Sequence, residues 1–66
     1  MTYNKEHIDY YVYLEEVRQS GNRNMFGVAP DLAIAFGLSK YEARRICGEW
    51  MEGYVDMRND GVFEEI

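Results

Sequence analysis

From Ala43 onward, apolar residues fall with a regularity found nowhere else in the chain. Ala43, Ile46, Cys47, Trp50, Met51 and Tyr54 follow the i, i+3, i+4, i+7, i+8, i+11 order of one α-helical face. Just upstream, Ser39-Lys40-Tyr41-Glu42 is a capping box: Ser39 can accept from a free N–H of the first turn and Glu42 can reach back. Leu38 and Ala43 occupy the flanking staple positions, and together these signals predict a helix over residues 40–52. Gly48 lies inside it at a cost of about 1 kcal/mol relative to alanine, which implies a place where another helix comes close.

The segment before it reads as a shorter helix over residues 30–36. Pro30 suits the first turn, Asp31 complements the helix dipole there, and Gly37 ends the run in a left-handed cap. At about two turns, packing must hold it. Further upstream, residues 5–19 carry His7, Tyr10, Tyr11, Leu14 and Val17 on one face, widened by Ile8 and Val12, with Asp9, Glu15, Glu16 and Arg18 mostly on the other. Asn4 is the N-cap and Ser20-Gly21-Asn22 the stop, and Tyr13 is the aromatic expected to face solvent. Between the first two helices, Met25, Phe26 and Val28 are apolar enough to plug the core, with Gly27 for a tight bend.

The tail, residues 54–66, has two readings. Asn59-Asp60-Gly61 between apolar-containing segments is a hairpin signal, and a hairpin here would be a wing. The plainer reading is a frayed acidic terminus, since isolated hairpins are marginal in water. The expected architecture is therefore all-α: one compact three-helix domain spanning residues 1–66, with a helix-turn-helix-like arrangement of its second and third helices and a C-terminal β-hairpin as an option.

A chain of 66 residues buries only about 60% of its unfolded surface, so its core is thin, and dimerisation would help it. A hydrophobic fraction of 47% and an aromatic fraction of 15% argue against a disordered chain, and six tyrosines offer amphipathic side chains for contacts. Cys47 has no partner for an internal disulfide and reads as a small buried residue. His7 has no companions for a metal set and reads as packed or hydrogen-bonded; no metal or cofactor is expected. There is no signal-peptide core and no run long enough to span a membrane, so a reducing cytoplasm is the expected compartment. Asp56, Asp60 and Gly61 match three calcium-loop positions, but Arg58 stands at the third, and no acidic residue closes the loop. No nucleophile–base set or phosphate-binding loop can be assembled, and no enzymatic role is expected.

The formal charge of −5 has the wrong sign for a nucleic-acid binder, but its distribution matters more than its sum. Acid collects at both ends and cations in the middle. Helix-turn-helix units need a small residue in the first helix and a glycine in the turn, here Ala33 and Gly37, and they present the start of the second helix to the major groove. The outward residues there are Ser39, Lys40, Tyr41, Arg44 and Arg45. Either arginine can pair with guanine, Lys40 can meet a phosphate, and Tyr41 can hydrogen-bond or pack. The competing view is a solvated face, with Arg45 held by Glu49 four residues on.

The runs Asn24-Met25-Phe26-Gly27-Val28-Ala29-Pro30, Phe36-Gly37-Leu38, Glu42-Ala43-Arg44 and Trp50-Met51 resemble a group of small bacteriophage-encoded proteins over residues 10–52, about two-thirds of the chain. The group brings no activity with it, so the resemblance assigns no functional residue. It implies a small phage accessory protein in an infected bacterial cytoplasm. The leading expectation is a regulator that binds double-stranded DNA through the helix begun at Ser39, with a homodimer setting site spacing. The alternative is a non-enzymatic module that binds and modulates a host protein through its tyrosine-rich first helix and acidic ends, DNA mimicry being one form of it.

Overall fold

A computed structural model describes residues 3–21 and 27–64. It holds a 3-10 turn, Lys5–His7, running directly into α1, Ile8–Gln19; then α2, Ala29–Phe36; then α3, Lys40–Asn59. Among the described residues there is no strand, and the fold is an all-α packing of three helices. Met25 and Phe26, expected as core plugs, lie outside the described residues, whereas Val28 is fully buried beside them in sequence.

The 3-10 turn and α3 open on side-chain caps, and α2 closes on a glycine. Asn4 Oδ1 accepts from the Glu6 N–H at 2.9 Å, which opens the first turn. Ser39 Oγ does the same for Glu42 N at 3.1 Å, so α3 begins at the capping residue its sequence supplies. Gly37 ends α2 at φ 68°, and the Leu38 N–H then reaches back to the Ala33 carbonyl at 2.9 Å. This wrapped cap turns the chain from α2 into α3 within three residues.

Over the described part of the tail, residues 54–64, neither the optional hairpin nor the frayed acidic terminus is found. α3 continues to Asn59, and Asn59-Asp60-Gly61 is its C-terminal cap: Gly61 takes φ 81°, its N–H bonds to the Arg58 carbonyl at 3.2 Å, and Val62 N bonds to the Met57 carbonyl at 3.0 Å. A glycine at positive φ serves a hairpin turn and a helix cap equally well. Burial decided between them, because Met57 carries the apolar stripe one turn beyond Tyr54 and is wholly enclosed. The last described segment folds back, and Phe63 stacks on Tyr54 with ring centroids 5.5 Å apart.

The core is built from Tyr11 and Leu14 of α1, Val28, Ala29 and Leu32 at α2, and Ala43, Ile46, Cys47, Trp50 and Met57 of α3. Tyr3 closes one end, donating a hydrogen bond to Asp60 Oδ2 at the far end of α3. The tyrosines mostly serve this interior instead of a contact surface. Tyr3 and Tyr11 are buried, Tyr54 is half-buried, and Tyr10 and Tyr13 are half-buried with their rings edge-on to Phe36 at 4.8 and 5.5 Å. Tyr13 is thus not exposed; among the described aromatics Tyr41, at 74%, and Phe36, at 41%, are.

Candidate functional site

α3 has two faces, and the five residues singled out from the sequence lie on the outer one at its start. Lys40, Tyr41, Arg44 and Arg45 are all exposed. Ser39 is exposed too, but its hydroxyl oxygen is engaged as the cap. Lys40 and Arg44 border a shallow concavity of about 250 Å³ together with Gly27, Ala29 and Pro30, so both cations sit beside the N-terminus of α2. Arg45 leans the other way, towards Glu49 Oε2 at 3.9 Å, the loose i,i+4 contact that its spacing allows. The structure therefore brings Lys40 and Arg44 together, leaves Tyr41 exposed on the same turn, and sets Arg45 partly aside.

The same outer face runs on past these residues. Gly48, Glu52 and Val55 are exposed, Val55 at 67%. A face that starts with cations and ends with acid, with a large apolar residue near each end, is legible only once α3 is known to reach Asn59.

Two carboxylates point inward and tie α1 to α3. Glu49 accepts from the Tyr11 hydroxyl at 2.7 Å and contacts His7 Nδ1 at 2.8 Å, so His7 is hydrogen-bonded within the fold, as its isolation in the sequence suggests. Glu15 is only 3% exposed, although its position on α1 reads as polar and outward. Burial is tolerated because its oxygens are satisfied: Arg18 donates from Nε at 2.6 Å and Nη2 at 3.1 Å, and the Tyr54 hydroxyl donates at 2.8 Å. The Arg18 guanidinium also lies 5.6 Å from the Tyr54 ring centre. The available clue to Glu15 was its spacing from Arg18 and Gln19; the reach across to Tyr54 had none.

The electrostatics follow from those contacts. For both Glu15 and Glu49, burial is the largest influence and pushes the carboxyl upward, but hydrogen bonds from Arg18 and Tyr54, and from Tyr11 and His7, together hold each below its ordinary value. Burial first, and then the bond to Glu49, push the Tyr11 phenol up to about 12. Burial likewise raises the Cys47 thiol, which keeps it protonated and unreactive. Among the described residues, no group of three or more His, Cys, Asp or Glu is placed to hold a metal, and no helix is long and apolar enough to cross a membrane.

Comparison with known protein families, with curated proteins and with solved structures finds no match to this chain. The outer face of α3 must accordingly be read on its own chemistry.

Proposed function

We propose that this protein is a small non-enzymatic regulator that works by docking a protein helix on the outward face of α3. The observation that carries the reading is the composition of that face: Tyr41 and Arg44, then Gly48, then Glu52 and Val55, all exposed on one line. Opposite charges divided between the two ends, with an aromatic and an aliphatic anchor, suit a partner of mixed charge better than a polyanion. In the infected bacterial cytoplasm that the phage resemblance implies, that partner is a protein of the host or of the phage.

DNA reading is the second proposal, and the placement of two cations supports it. α2, the turn at Gly37 and α3 succeed one another in the order of a helix-turn-helix, and Lys40 and Arg44 stand at the start of the second helix beside Pro30. Magnitude places it second. Three cations at the start of α3, Lys40, Arg44 and Arg45, the last of them drawn to Glu49, are fewer than the roughly 6–10 phosphate contacts of duplex binders with steep salt dependence. Acid further along the same face opposes the backbone. Mimicry of DNA gains nothing from the structure either, because Glu15 and Glu49 are turned inward and thin the carboxylate array.

Photo-cross-linkers placed singly at positions 41, 48 and 55 in bacterial cells test the docking reading, with position 31 on exposed α2 as control. Docking predicts discrete cross-linked protein bands from the three α3 positions and none from the control. A duplex titration at low salt runs beside it. Affinity that falls steeply with salt and is lost in Arg44→Ala, together with no protein cross-links, would reverse the order of the two readings.

A further inference from the structure

We infer that the helix docked on this face is α3 of a second copy of the chain, antiparallel and crossing at Gly48; the inference rests on the docking reading and names its partner. Two observations carry it independently.

The first is Gly48. A glycine in a helix interior is a poor helix former, so it needs a reason to be there. Its backbone shows no positive φ, and a Cβ built on it meets nothing within 4 Å. Neither conformation nor packing within the described chain requires it. Gly48 sits on the side of α3 opposite the buried line of Ala43, Ile46, Trp50 and Met57, and it leaves a saddle there. A second helix backbone can enter such a saddle more closely than the usual separation of about 8–10 Å.

The second is the order of residues around that saddle. At 3.6 residues per turn, Tyr41, Arg44, Glu52 and Val55 all lie within about 40° of the line through Gly48. Arg44 and Glu52 stand four residues to either side of Gly48, and Tyr41 and Val55 seven to either side. An antiparallel copy crossing at Gly48 therefore sets Arg44 against Glu52 of the second copy and Tyr41 against its Val55, and the two-fold axis repeats both contacts. A parallel copy would oppose like charges and align the helix dipoles. A purely acidic helix would meet Arg44 but be repelled by Glu52, and a purely basic helix would do the reverse. The chain itself carries both signs in the reversed order the face demands. Neither Arg44 nor Glu52 has an ion pair among those within the described chain.

A contact of this length falls below the roughly 1,200 Å² total of stable interfaces, so the dimer is concentration-dependent, with a Kd on the order of tens of micromolar. Sedimentation equilibrium from roughly 5 µM to roughly 1 mM brackets that constant. The wild type should pass from monomer to dimer across the range. Gly48→Leu should stay monomeric while melting no lower than the wild type, because leucine is the better helix former and its Cβ meets nothing within 4 Å. Arg44→Glu and Glu52→Arg should each stay monomeric alone and form a dimer when mixed in equal amounts. A wild type that is monomeric throughout overturns the inference, as does a dimer that persists unchanged in all three variants. In the first case, cross-links from positions 41, 48 or 55 to another protein would keep the docking reading, so the two failures are distinguishable.

Discussion

The two faces of α3 are made from one continuous helix, yet they treat the same residue types in opposite ways. On the inner side Trp50 is enclosed, and its ring packs edge-on to Tyr54 at 5.2 Å. On the outer side Tyr41 stands in solvent. Glu49 is half-buried and bonded to α1, whereas Glu52, one turn on, is exposed. The inner face is closed chemistry in which polar groups are spent on holding the helices together. The outer face is open, and what it can do depends on what meets it. The difference teaches that acid on this small protein is not interchangeable: some of it is structure, and some is available surface.

The comparison is broken most severely by Trp50→Ala. A cavity of that size in a core this thin costs about 3–5 kcal/mol. That approaches the whole stability of a domain worth about 0.05–0.15 kcal/mol per residue, so circular dichroism should show loss of cooperative thermal unfolding. Next in size is Glu15→Ala, which removes the charged acceptor of the half-buried Tyr54 hydroxyl and of the exposed Arg18 guanidinium and should cost about 1–3 kcal/mol in urea denaturation. Glu52→Ala on the outer face should leave the urea midpoint unchanged; equal losses at the two sites would erase the distinction between inner and outer carboxylates.

Acid and base probe the inner clamps without mutation. Glu15 and Glu49 are held below their ordinary 4.5, so the stability they contribute is present above that value and is lost as pH falls through the lower folded values. Tyr11 is shifted the other way, from 10.0 to about 12, so its contribution is complete below pH 10 and disappears as pH rises towards 12. Melting temperature against pH should therefore be flat near neutrality and fall at both ends, and Glu15→Gln should flatten the acid limb. The smallest expected effect is a gain. Gly48→Ala, measured at a concentration low enough to keep the chain monomeric, should stabilise by up to about 1 kcal/mol and raise the melting temperature by about 4–8 °C. A loss instead would mean that glycine is needed within the monomer.

Much of the architecture could be read before any coordinates, because the signals are local. Asn4 and Ser39 cap where their side chains predict, Gly37 turns the chain, and the Ala43–Trp50 stripe faces inward. The site residues Lys40, Tyr41 and Arg44 were legible as outward for the same reason: a helix with a known inner face has a known outer one. What misled was also local. Asn59-Asp60-Gly61 satisfies a hairpin and a helix cap alike, and only the enclosure of Met57 favours the cap.

The sequence by itself thus determined three helices, their starts and which side of α3 is wet, since capping and periodicity act within a few residues of their cause. The tertiary structure alone decided the rest. It buried Glu15 by bringing Tyr54 to it from 39 positions away, and it paired Glu49 with Tyr11 across 38. By carrying α3 to Asn59 it set Val55 and Glu52 in line with Tyr41 and Arg44. A carboxylate's fate depends on donors that arrive from other helices, and sequence spacing does not encode that distance.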